Sequence, residues 1–281
     1  MFGLEKQKRA HKTSATIYIL NDLFRNFIST PPWFSSTKLY IGSFFGKINS
    51  FIQNIADFFE KGRAAKLRVF SSQFDEDEIP VKHLFRTFGQ MAPLEQKALL
   101  LAKGKILDCG AGSGCHSLAL QDMGKEVDAI DISPLSVEVM EKRGVKNVSN
   151  TDLFSHPAVQ AYDTVLMLMN GSGIIGKVEN MGKFFTKMKQ ILKPGGIVYM
   201  DSSDLKYLFE DEDGSYVINL AGDYYGEVDF RMQYKQVKGN TFDWLYIDFQ
   251  TLSLYASKFG FKAELIQEGK HYDYLAALRM L

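Results

Sequence analysis

The sequence predicts an α/β fold in which strands and helices alternate along the chain and the strands pair in parallel. Short apolar runs alternate with helical segments from residue 105 onward, and glycines follow the ends of the helices. A glycine-rich stretch comes directly after the first of these strands. The chain has 281 residues, of which 46% are hydrophobic and 23% charged, and this composition is typical of a globular protein with a substantial core.

The overall charge is balanced, with 33 basic and 33 acidic side chains. This balance gives no indication of a general affinity for nucleic acid or for membranes. The two cysteines, Cys109 and Cys115, lack the spacing of a metal or redox pair, and no His/Cys/Asp cluster has metal-ligand spacing. The apolar run after the basic N-terminus is too short to span a bilayer and lacks a cleavage site. We therefore expect a cytoplasmic protein with reduced cysteines, no metal, no transmembrane segment and no nucleic-acid partner.

Residues 1–100 differ from the rest of the chain because they are rich in aromatic side chains. Helical spacing in 21–30 and 47–62 predicts a helical extension, and Pro93 begins a further helix that ends near Gly104. The aromatic-rich part is interpreted as a substrate lid, a dimer surface or a pair of membrane-surface helices. The remainder, 101–281, is predicted to be the ligand-binding domain.

The central part of the chain shows the most regular alternation. Ser133 and Pro134 form a helix start, and Gly124 and Gly144 each follow a helix. In order, the predicted elements are a strand at Lys105–Cys109, a helix at Ser113–Met123, a strand at Glu126–Asp131, a helix from Pro134 to Arg143, strands at Lys146–Asn150 and Tyr162–Met169, a helix ending at Leu192 and a strand at 197–203.

The pattern changes after residue 203. Residues 224–252 alternate with a period of two around Lys238, Gly239 and Asn240, which predicts an antiparallel hairpin within an insert at about 204–248. A helix at 252–260 and two final strands, Lys262–Gln267 and Tyr272–Leu278, then complete the chain.

The stretch "ILDCGAGSG" predicts a ligand site. A glycine-rich turn between a strand and its helix lies at the edge where open α/β sheets bind ligands, and its glycines allow a ligand to lie against the backbone. Gly110, Gly112 and Gly114 do not have the G-x-G-x-x-G spacing of dinucleotide sites. Asp108 would repel a pyrophosphate but suits an ammonium group.

Two further acids follow the next strands. Asp131 ends the second strand, where a carboxylate can accept hydrogen bonds from a ribose diol, although an N-cap is the simpler alternative and Asp128 is a rival. Asp152 ends the third strand and could accept from the amine of adenine, with Leu153 or Phe154 covering the ring; the alternative is a loop acid. A ligand with an ammonium, a ribose and an adenine but no phosphate is S-adenosylmethionine.

These motifs resemble those of the class I S-adenosylmethionine-dependent methyltransferases. The match runs in order through "ILDCGAGSG", "AIDIS", "TDLF", "YDTVLMLMN" and "ILKPGGIVYMDSS", over about residues 105–203. The resemblance implies a Rossmann-like sheet of seven strands, helices on both faces and an antiparallel last strand beside the penultimate one. It implies that the site for the cofactor includes Asp108, Gly110, Ala111, Gly112, Gly114, Asp131, Ile132, Asp152, Leu153 and Met169, and the segment before the first strand adds Phe88 and Met91.

The acceptor is less defined. Relatives that methylate DNA bases or glutamine carry an Asn-Pro-Pro-Tyr type of motif after the fourth strand, whereas this chain has "LMNGSGIIG". We therefore expect a small-molecule acceptor and in-line displacement at the sulfonium methyl group. A nicotinamide-dependent oxidoreductase and a catalytically inactive cofactor-binding scaffold are the alternatives.

Candidate catalytic residues are few because this transfer needs a base only when the acceptor carries a proton. Asn170 follows the fourth strand, His271 lies between the last two strands and Tyr224 begins the insert with Tyr225. Each has a structural alternative: a surface-turn histidine for His271, and sheet packing for the tyrosines. The remaining central histidines, His116 and His156, are interpreted as structural.

Overall fold

A computed structural model describes residues 50–51, 53–209, 215–216 and 222–281 of the chain. The helix predicted at 21–30 lies outside these residues. No helix within the described ranges is long and apolar enough to cross a membrane.

The main sheet has seven strands in the order β11-β12-β7-β6-β3-β4-β5. The central pairs are parallel, whereas β12 pairs antiparallel with both β7 and β11. This arrangement confirms the Rossmann-like prediction with an antiparallel last strand beside the penultimate one. The strands are β3 (Lys105–Cys109), β4 (Glu126–Asp131), β5 (Asn147–Asn150), β6 (Tyr162–Met167), β7 (Leu192–Ser203), β11 (Phe261–Glu268) and β12 (Asp273–Met280).

Helices cover both faces of this sheet, as predicted. They are α2 (Pro93–Leu101), α3 (Cys115–Asp122), α4 (Pro134–Arg143), α5 (Met181–Ile191) and α6 (Phe249–Lys258). A further helix, α1 (residues 50–51 and 53–61), packs against Val81, Leu84 and Val139. Alternate side chains of each strand meet different helices: Ile106 packs with α2 and α3, whereas Leu107 packs with α5 and α6. Because both faces are buried, apolar side chains from both faces of the central strands enter the core.

The local sequence explains where α4 begins and ends. The Ser133 hydroxyl accepts a hydrogen bond from Ser136 N at 2.9 Å, and Pro134 occupies the first turn. Gly144 ends the helix with φ +92°. These are the predicted cap residues, and each has the conformation for which its residue type is favoured.

A second, antiparallel sheet differs from the prediction. Its strands are β1 (Leu67–Phe70), β2 (Asp77–Ile79), β8 (Glu227–Tyr234), β9 (Val237–Lys238) and β10 (Phe242–Leu245). The predicted hairpin is present, but the chain reverses between Tyr234 and Val237 rather than around Gly239. Moreover, β1 and β2 belong to the stretch predicted as helical, 1–100. The helical prediction is therefore wrong for β1 and β2, because β1 pairs with β8, about 160 residues away, and β2 pairs with β1.

Candidate active site

The glycine-rich loop joins β3 to α3 with three left-handed residues. Gly110, Gly112 and Gly114 have φ values of +68°, +58° and +80°. A Cβ on Gly114 would lie 2.8 Å from Val145 Cγ2, so this glycine allows α3 to pack closely against its neighbours. A Cβ on Gly112 would meet no atom closer than 4.0 Å. Gly112 therefore borders open space, whereas Gly114 has a packing role.

Asp131 holds this loop against the end of β4. Its Oδ2 accepts from Gly112 N at 2.9 Å and its Oδ1 accepts from Ser133 N at 2.8 Å. Burial raises the pKa of Asp131 to about 6, and the two N–H donors oppose this rise. The rival acid Asp128 instead accepts from the Tyr162 hydroxyl, away from the loop.

Asp108 lies beneath the loop rather than at its surface. Its side chain is buried, and Oδ2 accepts a hydrogen bond from Ser117 Oγ at 2.6 Å. Burial raises the pKa of this carboxyl above its ordinary value. The geometry thus shows Asp108 bound to α3, and its contact with the methionine ammonium of the cofactor stays a prediction.

A buried ionic cluster adjoins the loop. Arg86 Nη2 donates to Glu95 Oε2, which also accepts from His116 Nε2 at 2.7 Å. Burial alone would raise the pKa of Glu95 and lower that of His116, but their mutual hydrogen bond reverses both shifts. Arg86 is 7% exposed, and its Nε and Nη1 have no partner among the described residues. Two buried donors are therefore unsatisfied at this place.

The segment before α2 contacts the glycine loop directly. Ser113 Oγ donates to the backbone oxygen of Leu84. However, Met91 is buried in the core with Ala119, and Phe88 is partly buried against the same cluster. The segment contacts the loop through Leu84, while Met91 contributes to the core, and the contact of Phe88 and Met91 with the cofactor stays a prediction.

Three other candidate cofactor residues lie near the loop with different degrees of burial. Ala111 packs inward against Ala129 and Met140, and Ile132 is half-buried beside Asp131. Leu153 is 3% exposed and belongs to the core on the α5 side of the sheet. Only Ile132 among these three presents side-chain surface that a ligand could contact.

One carboxylate oxygen of Asp152 caps a turn, as expected for the alternative of a loop acid. Oδ1 accepts from Phe154 N at 2.8 Å and from Ser155 N at 3.3 Å, which caps a short 3-10 turn. Oδ2 has no partner among the described residues. The Lys183 ammonium lies 4.5 Å from the centroid of the Phe154 ring.

The exit of β6 forms the neighbouring part of the site. Met169 and Asn170 have φ values of +67° and +56°. Asp201, at the end of β7, accepts from Met169 N at 3.1 Å and from Gly171 N at 3.0 Å. Burial raises the pKa of Asp201 to about 6. A Cβ on Gly110 would lie 3.1 Å from Ile174 Cδ1, so this exit touches the glycine loop.

A cavity of about 950 Å³ opens at this exit, between the two sheets. Asn170 and His271, two of the candidate catalytic residues, line it. Tyr224 does not: its hydroxyl donates to Asp248 Oδ2 at 2.7 Å and accepts from Asp248 N at 2.9 Å. Tyr224 therefore supports the start of α6 and lies outside this cavity, and its catalytic role stays a prediction.

Sequence reasoning missed Arg86, Glu95 and Asp201. Asp201 lies two residues before the end of its strand, close to a strand tip as Asp131 is, so a search of strand ends for acids could have identified it. Glu95 shares a helix face with the apolar Ala98 and Leu99, which is an indication of burial. Within the described ranges, no group of His, Cys, Asp and Glu side chains could hold a metal ion.

Seven strands in this order, with a glycine loop and an acid at the adjacent strand tip, define a Rossmann-like α/β protein with a nucleoside-type site. Residues 107–200 match a family model described as a methyltransferase domain. The chain is 64% identical to a structure described as an S-adenosylmethionine-dependent methyltransferase from Bacteroides fragilis in complex with S-adenosyl-L-homocysteine. That match covers 84% of this chain and 97% of the other, with a TM-score of 0.78.

Two further relatives are more distant. The sugar N-methyltransferase KedS8 from Streptoalloteichus sp ATCC 53650 shares the fold at 14% identity, over 75% of this chain and 96% of that one, with a TM-score of 0.51. A cypemycin N-terminal methyltransferase from Streptomyces sp is 31% identical over 103 residues, 35% of this chain. The match spans 42% of that relative, less than half of its length.

The chain belongs to the S-adenosylmethionine-dependent methyltransferases. Its cofactor is S-adenosylmethionine, as the sequence predicted. This membership decides against the nicotinamide-dependent alternative.

Proposed function

We propose that the protein transfers the methyl group of S-adenosylmethionine to a small-molecule acceptor by in-line displacement. The observation that carries this proposal is the junction of two features. The turn that follows β6 touches the glycine loop, since a Cβ on Gly110 would lie 3.1 Å from Ile174 Cδ1, and Met169 and Asn170 of the same exit line the cavity of about 950 Å³. A donor and an acceptor can therefore be held in adjoining spaces.

The residues around the loop fit the parts of S-adenosylmethionine. The unsatisfied Nε and Nη1 of Arg86 suit the carboxylate of its methionine part. The space beside Gly112 accepts a ligand that a Cβ would obstruct, and the Asp131 carboxylate suits the ribose diol. Asp152 retains one oxygen for the adenine amine. The bound donor supplies a methyl group that is already activated by the sulfonium charge.

The protein's own contribution is orientation and exclusion of water. Asp108 stabilises the loop from beneath through Ser117. Asp201 fixes the β6 exit through two backbone N–H groups, so Met169 and Asn170 keep their left-handed conformation at the cavity. The lid interpretation of the aromatic-rich N-terminal segment falls on residues outside the described ranges and stays a prediction. The buried, unpaired thiols of Cys109 and Cys115 support a reducing, cytoplasmic location.

Calorimetric titration tests this function. We expect S-adenosylmethionine and S-adenosylhomocysteine to bind with micromolar affinity, NADH not to bind, and Asp131→Ala to abolish binding of the first two. Folded protein that binds neither would contradict the proposed function. Binding without methylation of any acceptor would favour the catalytically inactive scaffold.

A further inference from the structure

The cavity beside the β6 exit is lined by aromatic and acidic side chains. Its volume, about 950 Å³, is within the range of small-molecule sites. One wall is a face of the antiparallel sheet, and the floor consists of the β6 and β7 ends with the start of α2. The lining includes Met169, Asn170, Asp201, Ser203 and Glu95 on the floor.

Four aromatic rings from one region form the wall. Phe230 lies opposite Phe242 in the pairing of β8 and β10, with ring centroids 6.3 Å apart. Trp244 stands edge-on to Phe242 at 6.1 Å, and Tyr246 stands edge-on to Phe230 at 6.3 Å. A Cβ on Gly173 would lie 1.8 Å from Trp244 Cε2, so the indole rests directly on the turn that follows β6. The aromatic wall is therefore fixed next to the end of the cavity that lies at the β6 exit.

The charge in the cavity has one sign. Seven carboxylates and no Lys or Arg are found among its described lining residues. Three of these acids have cationic partners outside the lining: Arg68 for Glu76, Lys66 for Glu78 and Arg86 for Glu95. The other four form no ion pair with the described part of the chain: Asp75, Asp77, Asp201 and Asp273.

Aromatic faces and uncompensated carboxylates together favour a cationic ligand with an apolar body. Ammonium groups are attracted to the faces of Trp, Tyr and Phe, and nearby carboxylates add a Coulombic attraction for a positive charge. An anionic or phosphorylated acceptor would meet repulsion from the floor and from the rim formed by Asp75 and Asp77. We propose that the methyl acceptor is an amine, bound in this cavity as its ammonium with its apolar part against the aromatic wall.

This inference rests on the proposed methyl transfer and specifies its substrate class. The bound ammonium must first lose one proton, which frees the nitrogen lone pair. That pair then forms the N–C bond while the C–S bond breaks with its electrons staying on sulfur, and the product is a methylated ammonium. The His83 imidazole lines the cavity. Burial and nearby Arg86 lower its pKa, which keeps the ring neutral with a free lone pair that can accept the first proton.

The preference for an amine can be measured by binding. Three probes with the same apolar body and different heads suffice: phenethylamine, 2-phenylethanol and 3-phenylpropionate. Titration is carried out by calorimetry at pH 7.5 with saturating S-adenosylhomocysteine, and by fluorescence of Trp244 in a Trp33→Phe background. We expect phenethylamine to bind at least about tenfold more tightly than the other two, and added salt to weaken it.

Variants locate the effect. Trp244→Leu and, separately, Asp75→Asn with Asp77→Asn should each weaken phenethylamine binding about fivefold to tenfold without changing the binding of 2-phenylethanol by as much. Glu126→Gln removes one carboxylate at the opposite end of the sheet and should leave both affinities unchanged. A thermal melt checks that each variant is folded.

The outcomes separate this inference from the proposed function. If the wild-type protein binds S-adenosylhomocysteine but binds phenethylamine no more tightly than 2-phenylethanol or 3-phenylpropionate, the amine proposal is overturned and methyl transfer stands. If the donor product itself fails to bind, the proposed function falls as well. Methylation of phenethylamine nitrogen, identified by mass spectrometry, would support both.

Discussion

The Asp131 carboxylate receives the backbone N–H of Gly112 at 2.9 Å, so an acid of one strand holds the loop that follows another. Because burial raises the pKa of Asp131 to about 6, mild acid protonates this carboxyl and removes an acceptor at the ribose position. We expect S-adenosylhomocysteine to bind about tenfold more weakly at pH 5 than at pH 7. Calorimetry across this range measures the change.

Two variants of β4 provide the control for this pH dependence. Asp131→Asn should bind weakly at both pH values and lose the dependence, whereas Asp128→Asn should retain it, since its carboxylate serves Tyr162 instead. A wild-type affinity that stays constant from pH 7 to pH 5 would contradict the role of Asp131.

Gly112→Ala should separate ligand binding from stability. Gly112 and Gly124 are both left-handed, and a methyl group added to either would meet no close neighbour, so alanine at either position costs about 1–2 kcal/mol of strain. We expect similar losses of thermal stability in Gly112→Ala and Gly124→Ala, measured by circular dichroism. Only Gly112→Ala should weaken S-adenosylhomocysteine binding, by more than about tenfold. Equal affinities in the two variants would show that the space beside Gly112 does not receive the donor.

Arg86 is expected to recognise the carboxylate of the donor. Wild-type protein should bind S-adenosylmethionine more tightly than decarboxylated S-adenosylmethionine, because its buried Nε and Nη1 then find an acceptor. Arg86→Met should reduce this preference to near unity. The ratio of the two affinities is the measured quantity, so a partial loss of stability does not imitate the effect. An unchanged ratio would show that Nε and Nη1 of Arg86 do not bind the carboxylate of S-adenosylmethionine.

The buried ion pair predicts a large stability difference between two acids. Glu95→Ala leaves the Arg86 and His116 side chains without their shared partner and should lower the free energy of unfolding by about 3–5 kcal/mol. Glu138→Ala removes an exposed pair with Lys142 and should cost less than about 1 kcal/mol. Urea denaturation measures both. Similar losses would mean that the cluster at Glu95 is not an essential part of the core.

The sequence predicted the parallel sheet well because each of its signals is local. Lys105–Cys109 and Glu126–Asp131 are short segments bounded by glycine and by a helix cap, and the structure has both strands with these bounds. The strand tip at Asp131 was predictable for the same reason. Glu95 was not, since its partner His116 is brought to it by packing between two helices.

Non-local pairing accounts for the remaining differences. Leu67–Phe70 has only four residues, and it becomes a strand because Leu67 lies opposite Tyr234 in the antiparallel sheet. Tyr224 resembled a pocket residue in sequence, yet a hydrogen bond to Asp248 places its hydroxyl at a helix start. Such long-range contacts carry little trace in a single sequence.

The position of β1 between β8 and β2 constrains how acceptor specificity can change. The aromatic wall comes from the insert after β7, but the acidic rim comes from the stretch before α2, and β1 joins the two. A chimera that exchanges only the insert at 204–248 would combine the aromatic wall of another protein with the acidic rim of this one. The pairing between Leu67–Phe70 and β8 would then join strands from two different proteins. Exchange of acceptor preference between relatives therefore requires both segments to move together, as one split module around an unchanged donor site.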